Sequence, residues 1–262
     1  MATRMEFRAV SEAVLRFRGD LPELLRRAHS DGEIRYPVTR RASIKDVAES
    51  LGVPHTEIHG LLLLTAAGAP REVGFGHALQ PGEVLDISGP GGPVDAMRDG
   101  LLRPALPHGL RFVVDENAAG LVPLLRGLGL DTAYDRCWTD ERIAEIAEAE
   151  GRVVLSRDRA LLKRSCIAHG RLVRANLPDD QLREVLALYP IPSEAVRFSR
   201  CLRCNELLRP VEKAAILHRL EPRTKRYYHR FQMCPSCERI YWPGSHQERM
   251  LERYARLGLS FP

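Results

Sequence analysis

Four of the six cysteines in this 262-residue chain form two matched pairs, Cys201-Leu-Arg-Cys204 and Cys234-Pro-Ser-Cys237, with 29 residues between them. Each CxxC turn can offer two thiolates to one ion, and two such turns supply the four-sulfur tetrahedron that zinc favours. A disulfide reading needs an oxidising compartment, and residues 1–10 lack the basic-then-apolar layout of an export signal. A redox reading suits one CxxC in a thioredoxin-like setting, not a matched pair. The expectation is a C-terminal four-cysteine zinc ribbon with structural zinc on Cys201, Cys204, Cys234 and Cys237. Cys137 and Cys166 stand apart and read as small hydrophobes or thiols without an assigned role.

Charge is distributed unevenly around this unit. Residues 197–262 hold 14 Lys and Arg against 6 Asp and Glu, a balance of +8, whereas the remaining 25 basic and 28 acidic residues leave residues 1–196 at −3. A basic end on a slightly acidic chain is the footprint of a polyanion-binding surface, with a merely solvated basic face as the plainer account. Arg223, Lys225, Arg226 and Arg230 are interleaved with Tyr227, Tyr228 and Phe231, and Tyr241 and Trp242 follow. Basic groups neutralise phosphates and aromatic faces stack unpaired bases, so RNA is the expected partner. For Phe231, Tyr241 and Trp242, packing in a small ribbon core is the favoured role. No apolar run approaches the length of a membrane span, so no membrane partner and a cytoplasmic address are expected.

A chain of this length accommodates two or three compact units. Residues 1–88 read as a small α/β domain. Short strands are expected at residues 6–9 and 14–17, with an insertion or a turn of helix at 21–28. Ser43 is placed to cap a helix whose buried face carries Ile44, Val47, Ala48 and Leu51, ended by Gly52. Strands at 58–65 and 84–87 follow, the second after a Pro81-Gly82 turn. This order resembles the β-grasp fold of ubiquitin-like sulfur carriers. Those carriers are activated at a free Gly-Gly carboxylate, but Gly91-Gly92 here is internal and followed by Pro93. A fused docking domain for an unidentified protein partner is therefore expected instead of a carrier. Residues 89–109, rich in Gly and Pro, read as a linker.

Residues 110–195 alternate strand and helix. Strands are expected at 111–114, 131–134, 153–156 and 172–175, and helices at 121–128, 140–149, 160–165 and 179–188, the last opened by Pro178. Alternation of this kind predicts a parallel sheet covered by helices, with ligands at the carboxyl ends of its strands. The acids fall there: Asp115 and Glu116 directly follow the first strand, Asp140 and Glu141 open the helix after the second, and Asp158 follows the third. Singly, Asp140 is an ordinary helix-opening acid and Asp158 an ordinary N-cap. Together they would repel unless a cation sat among them. Mg²⁺ or Mn²⁺, which select oxygen ligands and keep water for substrate, could there hydrolyse a phosphodiester.

The runs "FVVDEN", "LGLDTAYDR", "TDERIAEIA", "RVVLSRDRALLKR", "RCLRCN" and "CPSCERIYWPGSHQERM" together resemble the Mut-seven C-terminal RNase-domain proteins. That family joins a PIN-like nuclease domain to a zinc ribbon, and one branch carries a ubiquitin-like domain in front. The resemblance implies an α/β chain of three parts: a ubiquitin-like β-grasp domain (1–88), a PIN-like domain (110–195) and a four-cysteine zinc ribbon with a C-terminal tail (196–262). It places Asp115, Asp140 and Asp158 on the PIN-type acidic positions, with Glu116 and Glu141 as further acids and Arg157 and Arg159 as phosphate contacts. His246 matches a family motif. Where the family has Gly-Arg-Leu after the first acid, this chain has Ala119-Gly120-Leu121, and Pro123 sits in the first turn of the next helix. The reading is a Mg²⁺- or Mn²⁺-dependent ribonuclease. The alternative is an RNA-binding protein, for tRNA or another structured RNA, whose PIN-like domain is weak or silent.

Overall fold

A computed structural model of the chain describes residues 12–25, 31–65 and 69–259. In the N-terminal unit β1 (Glu12–Arg18) buries every second residue, Ala13, Leu15 and Phe17. Around it lie β2 (Glu33–Pro37), α1 (Ile44–Ser50), β3 (Gly60–Leu64), β4 (Arg71–Glu72) and β5 (Val84–Ser88). The sheet order is β2-β1-β5-β3-β4, with β1 and β5 parallel and the other neighbours antiparallel. Ser43 caps α1 by accepting the Asp46 amide at 3.1 Å, and Ile44, Val47 and Ala48 face the core. The strand expected at residues 6–9 lies outside the described residues. The hairpin partner of β1 is β2, which sequence patterning passes over because Ile34 alone of its five residues is buried. The expected insertion begins as a 3-10 turn, Leu21–Leu24, with both leucines buried.

The second unit is a four-stranded, all-parallel sheet of order β7-β6-β8-β9. It comprises β6 (Arg111–Val114), α2 (Val122–Gly127), β7 (Asp131–Ala133), α3 (Asp140–Glu150), β8 (Val153–Ser156), α4 (Arg159–Leu162), β9 (Gly170–Leu172) and α5 (Pro178–Leu188). All four residues of β8 are buried, as befits a strand covered on both faces. Phe112, Val114, Val153 and Leu155 join α2 and α5 in one core; Val113, Val154 and Leu172 join α3 and α4 in another. The last strand ends at Leu172, where the sequence places its start. Its middle residue, Arg171, is buried through ion pairing, so the strand lacks an apolar signature. Residues 89–109 hold no helix or strand, yet Ala96 and Leu106 are buried in the α2/α5 core and the Val94 amide bonds the Leu188 carbonyl.

The first core does not stop at the sheet. It continues from α3 and α4 into the β-grasp unit as one apolar cluster. At the joint, the short 3-10 turn His55–Glu57 is wholly buried. There Glu57 accepts Arg171 at 2.7 Å, the Leu172 amide at 2.7 Å and Arg174 at 3.3 Å. Burial pushes the Glu57 carboxyl upward, opposed by Arg171, the amide and Arg174. His55 Nε2 donates to the Ile167 carbonyl at 2.9 Å, and Gly170 lets β9 approach Thr56, because a Cβ there would lie 3.3 Å from the Thr56 methyl. Arg103 closes the joint from the interdomain segment, donating to the Ile58 carbonyl at 2.7 Å.

The C-terminal unit is a three-stranded antiparallel ribbon, β10 (Arg209–Val211), β11 (Phe231–Met233) and β12 (Ile240–Tyr241), with α6 (Lys213–Ile216) and α7 (Pro222–Tyr227) inserted after the first strand. Its own apolar core is three buried residues, Ile216, Leu220 and Phe231. The chain then returns to the parallel-sheet unit as α8 (Ser245–Arg256), which buries Met250 and Tyr254 against α2. Gly127 makes room for it: a Cβ there would lie 2.3 Å from the Tyr254 hydroxyl. That hydroxyl donates to the Leu124 carbonyl at 2.7 Å.

Because Glu57 is the buried counter-ion of the joint, Glu57→Gln is expected to lower stability by about 3 kcal/mol. It should do so without splitting the urea transition into separate domain steps. An unchanged midpoint, or independent melting of the N-terminal unit in the native protein, would contradict this account.

Candidate functional site

The parallel sheet brings its acids to one edge. Asp115 leaves the end of β6, Asp158 follows β8 by two residues, and Asp140 is the first residue of the helix after β7. Ser156, the last residue of β8, ties two of them together: its hydroxyl donates to Asp115 Oδ2 at 2.6 Å and accepts the Asp158 amide at 2.9 Å. Asn117 adds a second donor to the same Asp115 oxygen at 2.6 Å, while its own carbonyl accepts the Arg157 amide at 2.8 Å. Both donors converge on Oδ2, so the second carboxylate oxygen of Asp115 has no protein donor among the described residues. Asp158 uses one oxygen to cap α4, accepting the Ala160 amide at 2.7 Å. Burial, then Asp158 and then Asp115 push the Asp140 carboxyl above its ordinary range, against the pull of Arg164. Three like charges thus share one field, and Arg164, the cation that opposes them at Asp140, is paired with Glu141.

The two further acids are already paired. Glu116 accepts the Tyr134 hydroxyl, and burial together with that bond pushes the phenol up to about 12. Glu141 is bonded to Arg164, and the Thr139 side chain caps the same helix at the Arg142 amide. Arg157 and Arg159 flank Asp158 but face protein oxygens. Arg157 donates to the Ala175 carbonyl and Asn176, at 2.6 and 2.7 Å, and Arg159 reaches the Leu24 carbonyl of the N-terminal unit at 2.7 Å. That contact sets the β-grasp unit beside the acidic edge. Ser156 and Asn117 were not legible as site residues: a Ser at a strand end and an Asn in a turn carry no periodic signal. Gly120 packs on Pro178, where a Cβ would lie 2.8 Å from the ring.

The four cysteine sulfurs lie within 4.8 Å of one another and are the one such grouping of His, Cys, Asp and Glu among the described residues. A tetrahedral zinc–thiolate site needs sulfurs about 3.8 Å apart. Cys201 and Cys237 at 3.5 Å, and Cys204 and Cys234 at 3.3 Å, fit that geometry. The two knuckles repeat each other: the Cys201 amide bonds the Glu206 carbonyl and the Cys234 amide the Arg239 carbonyl, with left-handed turns at Asn205 and Glu238. Burial pushes the Cys201 thiol up, but the Tyr241 hydroxyl and knuckle amides outweigh it and bring the thiol down to about 6. The set could hold a zinc ion.

The ribbon is fastened to the sheet by a latch that sequence reading missed. Arg126, buried in α2, donates to the Thr132 carbonyl and to the knuckle carbonyls of Leu202 and Arg203. Asn205 accepts the Thr132 amide at 3.0 Å, satisfying edge strand β7, and donates to Asp131 at 2.8 Å. Of the predicted RNA contacts, Arg223, Arg226 and Arg230 are exposed and Lys225 is half-buried, all on or just after α7. Arg226 lies over the exposed Tyr227 ring at 5.5 Å. Phe231 packs as expected and Tyr241 supports the cysteines, whereas Trp242 remains 37% exposed. His246 is exposed near the start of α8.

The chain thus joins a parallel-sheet unit with acids on its carboxyl edge to a four-cysteine ribbon. The Mut7-C RNAse domain model matches residues 110–254, and the chain belongs to that family. The Mut7-C ubiquitin model matches residues 10–89, so the N-terminal unit is its ubiquitin-like domain. No curated protein and no solved structure matches the chain. Among the described residues, no helix is long and apolar enough to cross a membrane.

Two outcomes follow. Cys201→Ser is expected to release the metal and cost more than about 3 kcal/mol, read by metal content and by melting with and without a chelator; a variant that melts like the native protein would refute the site. The raised Asp140 carboxyl means that the folded state resists its ionisation. Asp140→Asn should therefore stabilise the protein at pH 7, a gain that disappears as the pH falls through the range where the native carboxyl becomes protonated. Equal midpoints at pH 7 would show that the acids do not share a field.

Proposed function

We propose that this chain is a metal-dependent ribonuclease of PIN-like type. The observation that carries the reading is the Asp115–Ser156–Asp158 arrangement, with Asp140 in its field. Asp115 keeps one oxygen clear of protein donors while its other oxygen is held by Ser156 and Asn117. That arrangement suits a carboxylate fixed as a ligand for a hard cation. Asp115, Asp140 and Asp158 would hold Mg²⁺ or Mn²⁺, which supplies a polarised phosphodiester and an activated water. The chain's own residues orient these carboxylates and keep Glu116 and Glu141 on Tyr134 and Arg164. Structural zinc on the four cysteines would stiffen a ribbon whose apolar core is too small to fold unaided. Arg223, Lys225, Arg226 and Arg230 would neutralise RNA phosphates, tRNA being one candidate, and the ubiquitin-like domain would dock a protein partner. We place the protein in the cytoplasm.

A second reading, RNA binding with a silent nuclease domain, is favoured by one observation. The acids do not close into a ligand group as tight as the cysteines do. The two readings separate in a cleavage time course on mixed cellular RNA with Mn²⁺ or Mg²⁺. Asp115→Asn and Asp158→Asn are each expected to reduce cleavage at least a hundredfold, on the order of 3 kcal/mol in the barrier, while retaining RNA on filters. RNA bound intact by native and variant proteins alike would establish the second reading.

A further inference from the structure

Beside the second cysteine knuckle lies a pocket of about 360 Å³ that the basic run of α7 does not line. Its walls are Arg203, Arg219, Leu220, Arg239, Ile240 and Trp242, with Glu221 as the one carboxylate and the candidate zinc ligand Cys237 on the side of the knuckle. The volume falls at the small end of the range for ligand pockets, about 300–1,000 Å³. The floor is apolar, since Leu220 is buried and Ile240 half-buried. Trp242 is held from behind, leaning on Tyr228 and Phe231 with ring planes tilted by 52° and 53°. Its exposure is therefore not that of a loose surface residue.

The three arginines differ in what they hold. Arg219 is fixed to the knuckle, donating to the Glu238 carbonyl at 2.7 Å and pairing with the Glu238 carboxylate at 3.8 Å. Arg203 and Arg239 make no side-chain hydrogen bond or carboxylate ion pair among the described residues, Arg239 lying in the field of the Tyr241 hydroxyl. Arg203 belongs to the first knuckle, whose backbone is pinned by Arg126, and Arg239 follows the second. Both guanidinium groups are thus carried on rigid turns around the thiolates and left without a carboxylate partner. An apolar floor ending in an indole, rimmed by unpaired guanidinium groups, matches a ligand that is flat and aromatic at one end and anionic at the other.

We infer that this pocket takes one unpaired nucleotide of the RNA, its base laid against Trp242 and its phosphate held by Arg203 and Arg239; the inference rests on the ribonuclease-family reading above. The site is separate from the α7 basic run and from the acidic edge. It gives the ribbon a preference for single-stranded over fully paired RNA, because a paired base presents no free face.

The test uses full-length, zinc-loaded protein with Trp138→Phe, which leaves Trp242 as the sole tryptophan. It is titrated with a ten-nucleotide single-stranded adenylate RNA without added Mg²⁺ or Mn²⁺. Saturable quenching of Trp242 fluorescence is expected, and Arg203→Ala with Arg239→Ala should raise the midpoint about tenfold or more with zinc content unchanged. A blunt ten-base-pair RNA duplex, which has no unpaired base, should not quench. Trp242→Leu can disturb the ribbon core, so the surface arginine pair carries the decision. Filter retention of RNA without quenching, or quenching indifferent to the arginine pair, overturns the pocket and leaves the family reading intact. Failure of every form to retain RNA overturns both.

Discussion

A four-stranded parallel sheet buried on both faces leaves little freedom for where polar chemistry can sit. β8 has no exposed residue, and both apolar faces are covered, one by α3, α4 and the ubiquitin-like domain, the other by α2, α5 and α8. What remains open is the carboxyl edge, where strands stop and turns begin. Asp115, Asp158 and Asp140 lie at that edge because the strands end there, and Ser156 links the first two because it is the last residue of the central strand. The field of these acids follows from topology more than from any single contact.

The other two units are extensions of this sheet. The ubiquitin-like domain shares a continuous apolar core with it and is locked by Glu57 between Arg171 and Arg174, a buried ionic cluster that is stabilising only while every member is present. The ribbon has little apolar core of its own and is attached through Arg126 and Asn205 at the opposite end of the strands from the acids. Helix α8 closes the arrangement by returning to α2. A chain built this way holds its acidic edge and its ribbon in a fixed relation through the shared sheet.

Much of the fold was legible in the sequence because local signals and burial agree there. The two CxxC turns, the Ser43 cap, the strand "RVVLS" and the Pro178 helix start each express one physical rule. Misreadings occurred where tertiary partners replace local pattern. β2 buries one residue of five, and β9 places a paired arginine where an apolar residue would be expected. The Gly- and Pro-rich segment 89–109 reads as a linker yet packs Ala96 and Leu106. For the candidate site, the three aspartates could be read from their places after strands. Ser156, Asn117, Arg126 and the pocket at Trp242 could not, since their roles depend on distances between segments up to roughly 80 residues apart. Arg157 and Arg159 show the converse: their position beside Asp158 invites a phosphate contact, and the fold gives their guanidinium groups protein oxygens.

The central claim, that the acidic edge is a divalent-cation site, is tested most directly by Mn²⁺ binding to the zinc-loaded protein, followed by electron paramagnetic resonance. One or two ions per chain are predicted, with loss of binding in Asp115→Asn and in Asp158→Asn while zinc on the cysteines is retained. Absence of Mn²⁺ binding with and without RNA, or binding that both variants keep, would contradict it.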